Sequence, residues 1–259
     1  MTGGFTALGV PIDSVGRSGG TEFSPRVLRS LGLVEALGAV DAGDLDVSIR
    51  GDERDPATGI VASDDVIATS VTIRGAVGEI VGSGSKPFLI GGCCTELVGA
   101  LAGARDALGL GPSAWSEAIG GPSVRSDDVA ILGYRDLEEA QTYGMRHPDT
   151  VPGLTHRSNE AVRAAGVWST GTKVAGALAA TGPFWLHLDV DVLDEAQFPA
   201  TDYLMPRGLT WGELADLIGP LASHPSLAGA SVGCYNPEKD PGERCGRRLV
   251  ELLGAAVGG

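Results

Sequence analysis

The segment His187-Leu188-Asp189-Val190-Asp191-Val192-Leu193-Asp194 decides the fold, because it joins an apolar run to three aspartates. Residues 184–190 have the composition of a buried strand. Asp189 and Asp191 are two positions apart, so on an extended chain their side chains point to the same side. Ligand sites in open parallel sheets concentrate at the carboxyl ends of the strands. The segment therefore predicts a parallel α/β sheet with a functional site at this edge.

Two carboxylates at one strand end repel each other unless one is protonated or a cation neutralises them. A hard divalent ion such as Mn²⁺ or Mg²⁺ is a natural partner for them. The alternative is a turn in which Asp189 and Asp191 cap backbone amides. The two residues alone leave both interpretations open.

On both sides of this segment, strand-like runs alternate with helical patterns, as expected for a parallel sheet covered by helices. The predicted strands are 5–12, a short strand within 40–58, 86–90, 128–134, 184–190 and 228–235. The predicted helices are 26–37, 63–82, 95–108, 113–119, 137–143, 161–165, 170–180, 211–221 and 244–257. We find no linker, repeat or low-complexity tract, so we expect one α/β domain over residues 1–259.

The composition excludes several classes of protein. The 259 residues include 19 basic and 33 acidic side chains, a net charge of −14, which argues against a nucleic-acid partner. No apolar run reaches the roughly 18 residues of a membrane span, and the first residues do not form a signal peptide. The four cysteines are too few for a disulfide framework. We expect a cytoplasmic protein without nucleic-acid or membrane partners.

Several further motifs follow one another along the chain. They are Gly9-Val10-Pro11-Ile12-Asp13 with Gly19-Gly20 and Ser24-Pro25-Arg26, Ile90-Gly91-Gly92-Cys93-Cys94-Thr95, Gly133-Tyr134-Arg135, Gly208-Leu209-Thr210 and Asn236-Pro237-Glu238-Lys239-Asp240. Together with the aspartate segment they resemble the ureohydrolases, the family of arginases, agmatinases, formimidoylglutamases and guanidinobutyrases. The resemblance runs from residue 9 to residue 240. It implies a three-layer α/β/α fold, two manganese ions at the carboxyl ends of the strands, and homo-oligomers.

The resemblance also implies roles for individual residues. Asp189 and Asp191 correspond to metal-ligand aspartates, and Cys94 stands where the family has a histidine ligand. Cys234 replaces a carboxylate that contacts the cationic group of the substrate, and we assign Asp194 to substrate binding with it. A thiolate at position 94 favours zinc or iron over manganese.

One family motif is absent. None of the four histidines fits its Asp-x-His-x-Asp segment, because His147, His156 and His224 fall in predicted loops or turns and His187 lies in the aspartate segment. The motif belongs where helix 95–108 meets helix 113–119 without an intervening strand, although crossovers normally return to a strand. We hypothesise that the physical protein contains a strand and loop between residues 109 and 110 that this sequence omits.

The leading functional prediction is a divergent ureohydrolase. It would use metal-activated water to hydrolyse a C–N bond in a small guanidino or amidine-type substrate. One alternative is an inactive protein of the same fold that serves as a subunit or binding module. A second is a zinc enzyme of the wider arginase–deacetylase fold group. The sequence does not choose among individual guanidino or formimino substrates.

Overall fold

The computed structural model describes residues 3–13, 19–54, 61–107, 124–142 and 147–258. The strands are β1 (Phe5–Val10), β2 (Val40–Asp44), β3 (Lys86–Gly91), β4 (Ala130–Tyr134), β5 (Thr155–Ser158), β6 (Phe184–Asp189) and β7 (Leu227–Gly233). The helices are α1 (Ser24–Ser30), α2 (Leu33–Ala36), α3 (Ser63–Gly82), α4 (Glu96–Ala107), α5 (Leu137–Thr142), α6 (Asn159–Ala165), α7 (Val167–Thr181), α8 (Trp211–Ala222) and α9 (Arg244–Val257). The alternation of strands and helices predicted from the sequence is therefore present.

Five strands form the main sheet in the order β2-β1-β3-β7-β6, and all neighbouring pairs are parallel. Each strand continues into a loop at the same edge of the sheet, so β3, β7 and β6 end side by side. In the register of the last pair, Asp189 lies opposite Gly233. The aspartate segment thus reaches solvent at the carboxyl edge, as its sequence predicts.

Apolar side chains cover both faces of the main sheet. Phe88 and Ile90 of β3 belong to one buried cluster, which helices α1, α2, α8 and α9 complete. Leu89 points the other way, into a second cluster with Ile73 and Val77 of α3 and residues of α4. Successive strand residues alternate between faces, so one strand serves two cores. The predicted three-layer α/β/α fold is confirmed.

Local sequence signals explain where the major helices begin. Ser63 opens α3 with Asp64 and Asp65 in its first turn, where negative charge favours the helix dipole. Thr210 and Glu213 form a reciprocal capping box at the start of α8. Within the described ranges, no helix is both long and apolar enough to span a membrane.

Two local predictions are wrong. The predicted helix 26–37 is divided into α1 and α2, because Gly32 adopts a φ of 89°, which interrupts the helix. His156 lies in strand β5 rather than in a turn. The four residues of β5 alternate between exposed and half-buried positions and include no apolar residue, so they lack the pattern that identifies a strand.

Strands β4 and β5 form a separate two-stranded parallel sheet. Ala130 and Leu132 of β4 pack against a cluster that includes Phe184 of β6, so side chains join the two sheets. Among the described residues, no strand pairs with the outer edge of β6. The hypothesis of an omitted strand and loop concerns residues 109 and 110, which lie outside the described residues, as does the predicted helix 113–119.

Candidate metal and substrate site

Three strand ends bring a mixed set of donors together at the carboxyl edge. Cys94 follows β3, Cys234 follows β7, and Asp189 is the last residue of β6. The Cys94 Sγ atom lies 3.2 Å from Asp189 Oδ2 and 3.4 Å from Cys234 Sγ. One donor atom from each of the three residues lies within 4.8 Å of the other two. Strand order therefore assembles residues that are up to 140 positions apart in sequence.

His187 is the fourth member of this group, which we name the rim cluster: Cys94, Cys234, Asp189 and His187. Its Nε2 atom lies 3.1 Å from Cys94 Sγ, and its Nδ1 atom lies 2.7 Å from the Ser231 hydroxyl. Burial lowers the pKa of His187, although the nearby charge of Asp189 opposes that shift. The imidazole is therefore neutral and held with one nitrogen facing the thiol.

Both thiols of the rim cluster are poor acids in this environment. The hydrogen bond with Cys234 lowers the pKa of Cys94, but burial and the Asp189 carboxylate outweigh it and raise the pKa to about 11. Hydrogen bonds with Cys93 and Cys94 raise the pKa of Cys234 well above its ordinary value, and burial adds to the shift. Without a cation nearby, both cysteines are thiols rather than thiolates at pH 7.

Asp191 lies beside the rim cluster. Its backbone N–H donates to Asp189 Oδ1 over 2.9 Å, and its own carboxylate accepts a hydrogen bond from the Thr201 hydroxyl. Burial and the charge of Asp189 raise the pKa of Asp191 to about 7. Burial and the neighbouring Asp189 charge thus both disfavour the ionised form of Asp191.

The backbone around the rim cluster is tightly constrained. A Cβ atom on Gly92 would lie 2.0 Å from the Ile12 carbonyl oxygen, so only glycine fits where β3 ends beside β1. Cys234 has a φ of 72°, a left-handed backbone conformation that residues other than glycine rarely adopt. Its N–H donates to the Gly92 carbonyl oxygen over 3.1 Å, which fixes this turn at the edge of the sheet.

Asp194 has a different environment from Asp189. Its Oδ1 atom accepts from the Ala196 N–H over 3.0 Å, and its Oδ2 atom accepts from the Gly208 N–H over 3.2 Å. Both oxygens thus bond the backbone of the loop that follows β6. The assignment of Asp194 to substrate binding stays a prediction, and these contacts favour a structural role instead.

Arg135 fixes the same loop from the end of β4. Its guanidinium donates to the carbonyl oxygens of Asp191, Leu193, Met205 and Pro206 at distances of 2.7 to 3.1 Å. The motif Gly133-Tyr134-Arg135 therefore serves the shape of the loop rather than direct contact with the rim cluster. We name residues 192–208, with Arg135, the scaffold loop.

The structure places Cys94, Cys234 and Asp189 together and leaves Asp194 outside the rim cluster. It adds His187, Ser231 and Thr201, which the sequence analysis did not assign to the site. One signal for His187 was present: it precedes Asp189 by two positions and so shares its face of the strand. The contacts of Ser231 and Thr201 depend on strand order and loop path, which the sequence does not specify.

A family model described as the arginase family matches residues 112–257, more than half of the chain. The chain belongs to the arginase family. The expected ureohydrolase resemblance is therefore confirmed. Homologues in the arginase family are hydrolases that act on guanidino compounds. No curated protein sequence matches the chain.

Solved structures support the same fold at low sequence identity. Arginase from Bacillus caldovelox is 22% identical, with a TM-score of 0.84 over 100% of this chain and 99% of that one. Arginase from Bacillus cereus is 21% identical, with a TM-score of 0.82 over 98% of both chains. Proclavaminate amidino hydrolase from Streptomyces clavuligerus is 18% identical, with a TM-score of 0.69 over 98% of this chain and 90% of that one.

The donors of the rim cluster do not fit the family's two manganese ions. Manganese prefers carboxylate, carbonyl and water oxygens, whereas thiolates favour zinc, copper or iron–sulfur centres. Among the described residues, the donor group at this edge has two sulfur atoms and one carboxylate. A thiol at position 94, where the family has a histidine ligand, reduces the affinity of the site for a hard ion.

Proposed function

We propose that this chain hydrolyses a C–N bond of a small guanidino or amidine-type compound at the rim cluster. The observation that carries the proposal is the half-buried pair Asp189 and Asp191, which lies at the carboxyl edge of an arginase-family sheet. Neither carboxylate forms an ion pair with a basic side chain of the described ranges. An amidinium or guanidinium cation would neutralise the pair.

The residues of the rim support hydrolysis by water. Water adds to the amidine carbon, the C–N bond breaks, and the leaving nitrogen takes up a proton. His187 is neutral and its Nε2 atom faces the cluster, so it is positioned to handle that proton. The acidic pair would hold the cationic carbon centre beside it.

The test is to measure the release of ammonia, urea or amine from a guanidino acid, a guanidino amine and a formimino amino acid. We expect turnover of at least one, and Asp189→Asn should lower kcat/KM by about 100-fold or more. Asp216→Asn is the matched control, because Asp216 is an exposed aspartate on α8. Wild-type protein that releases nothing from any compound would contradict the proposal.

The same experiment addresses the alternative of an inactive subunit or binding module. One observation favours that alternative: the described residues do not provide the family's Asp-x-His-x-Asp ligands. Saturable binding of a guanidino compound without product release would support it. We further propose a cytoplasmic location, because all four cysteines are free thiols, as is typical of reducing compartments. Homo-oligomers and a single domain over 1–259 stay predictions.

A further inference from the structure

The rim cluster also suggests a metal chemistry that differs from the family's. We propose that Cys94, Cys234 and Asp189 bind a single thiophilic divalent ion, preferentially Zn²⁺, in place of two manganese ions. The inference concerns the site of the proposed function and rests on it for the reaction that the ion would serve. Metal content can be measured without turnover, so the two proposals can fail separately.

The distances within the cluster fit one ion. In a tetrahedral zinc site, with Zn–S near 2.3 Å and Zn–O near 2.1 Å, two sulfur ligands lie about 3.8 Å apart and a sulfur and an oxygen about 3.6 Å apart. The Cys94 sulfur is 3.4 Å from the Cys234 sulfur and 3.2 Å from the Asp189 oxygen. These two pairs would therefore have to separate by about 0.4 Å to hold an ion. The third pair, the Cys234 sulfur and an Asp189 oxygen, lies within 4.8 Å.

The three ligands would leave one position of a tetrahedral ion open. Structural zinc sites are usually closed by four protein ligands, whereas catalytic sites have three and keep a position for water or substrate. The Asp191 carboxylate is not one of these three close donors and accepts a hydrogen bond from the Thr201 hydroxyl, so the proposed ion does not use it as a ligand. A water on the ion would have a lowered pKa, which is the chemistry that amidine hydrolysis needs.

His187 acts in this arrangement as a positioning residue for Cys94. Its Nε2 atom lies 3.1 Å from the Cys94 sulfur, and its ring is fixed from behind by the Ser231 hydroxyl, which also accepts from the Trp185 indole. Partners of metal ligands in other proteins fix ligand orientation in the same way. A hydrogen bond from the imidazole would stabilise a thiolate sulfur at the ion.

The left-handed backbone of Cys234 supports the same assignment. A φ of 72° is unfavourable for a residue other than glycine, and such strain persists where the surroundings fix it, often at functional sites. This conformation, with its bond to the Gly92 carbonyl, brings the Cys234 sulfur to Cys94. The ends of β3 and β7 thus bring both sulfur atoms close to Asp189.

The test uses the full-length protein, purified with a reductant, depleted with a chelator and then titrated separately with Zn²⁺, Mn²⁺ and Co²⁺. We expect one zinc per chain by mass spectrometry and manganese binding at least about 100-fold weaker. Bound cobalt should give the thiolate-to-metal charge-transfer absorption of a site with two sulfur ligands. Zinc with no turnover would contradict only the proposed function.

Variants assign the ligands. Cys94→Ser and Cys234→Ser should each remove about half of the charge-transfer absorption, and His187→Gln should weaken zinc binding by about 10- to 100-fold. Cys245→Ser is the matched control, because Cys245 lies in α9 outside the rim cluster, and it should change neither quantity. Circular dichroism checks that each variant folds, and the wild-type cobalt spectrum counts the sulfur ligands if a variant does not.

The inference would be overturned by two manganese ions per chain, by bound cobalt that lacks the thiolate charge-transfer absorption, or by reduced protein that retains no zinc. An intramolecular Cys94–Cys234 disulfide that persists in reductant would also overturn it, because both sulfur ligands would be consumed. Turnover by metal-free protein would sustain the proposed function without the ion, and the metal titration alone decides this inference.

Discussion

The rim cluster and the scaffold loop lie next to each other but satisfy their polar groups differently. In the scaffold loop, both oxygens of Asp194 accept backbone N–H groups and Arg135 donates to four carbonyl oxygens. At the rim, Cys234 has a left-handed backbone and Asp189 and Asp191 repel each other. The scaffold loop therefore contributes stability, whereas the rim retains unneutralised groups for a ligand.

The largest expected effect on stability is that of Arg135→Met. This change removes four charge-assisted hydrogen bonds and leaves partly buried carbonyl groups without their donor, so we expect the free energy of unfolding to fall by about 3 kcal/mol. Urea unfolding measures it. Arg125→Met is the control, because the Arg125 side chain is 75% exposed, and it should change stability by less than about 0.5 kcal/mol. Equal losses of unfolding free energy in Arg135→Met and Arg125→Met would show that Arg135 does not stabilise the scaffold loop.

A pair of glycines tests the packing of the scaffold loop. A Cβ atom on Gly208 would lie 2.3 Å from the Asp194 nitrogen, whereas one on Gly212 meets nothing within 4 Å. Gly208→Ala should therefore destabilise the protein by about 2 kcal/mol. Gly212→Ala, within α8, should stabilise it by up to about 1 kcal/mol. Thermal unfolding distinguishes them, and a stable Gly208→Ala variant would show that the loop is not tightly packed.

Replacing Glu96, which begins α4 close to the rim, should raise the free energy of unfolding rather than lower it. Glu96 is fully buried, and neither carboxyl oxygen has a hydrogen-bond partner among the described residues. Glu96→Met should therefore stabilise the protein by about 1–2 kcal/mol at pH 7. Glu251→Met, at an exposed position on α9, should have no comparable effect. Destabilisation by Glu96→Met would mean that the carboxyl group has a structural partner.

The pH dependence of Glu96→Met provides an internal check. Burial raises the pKa of Glu96 well above its ordinary value of 4.5, so ionisation favours the unfolded chain. Wild-type stability should therefore fall as the pH rises above about 4.5 on account of this group. The advantage of the variant should grow over the same range. A stability difference between the wild type and Glu96→Met that is constant from pH 4 to pH 8 would contradict the raised pKa of Glu96.

The smallest expected effect concerns Arg163 and Glu213, which anchor the end of the scaffold loop to α8. Hydrogen bonds from Arg163 lower the pKa of Glu213 to about 2. This pair contributes stability above the ordinary pKa of 4.5 and loses it as the pH falls towards about 2. Because the pair is partly exposed, Glu213→Gln should cost at most about 1 kcal/mol at pH 7. The unfolding free energies of the wild type and of Glu213→Gln, measured as the pH is lowered, should become equal near pH 2.

The sequence predicts the main architecture because each signal is local. The sequence within α3 and α9 is enough to indicate where each helix begins and ends. The predicted bounds 63–82 and 244–257 agree with the structure. Asp189 is likewise predicted from local sequence, because it follows the apolar residues of its own strand. Strand β5 escapes prediction because its polar residues lack an apolar pattern, and it depends on pairing with β4.

The candidate site is predicted only in part. Cys94 and Cys234 could be placed at one edge because they follow strands, but their mutual distance depends on β7 lying between β3 and β6. The roles of His187 and Asp194 depend on side-chain direction and loop path. These are tertiary properties, so two neighbouring residues of one motif can have different partners that spacing alone does not reveal.

The most direct test of the distinction between the rim and the scaffold loop is zinc X-ray absorption on the reduced full-length protein. We predict one zinc per chain, with two sulfur neighbours at about 2.3 Å and lighter atoms at about 2.1 Å. The two-sulfur shell should survive Asp194→Asn and be reduced by Cys234→Ser. A zinc shell of only oxygen and nitrogen, or equal loss of sulfur in both variants, would contradict the account.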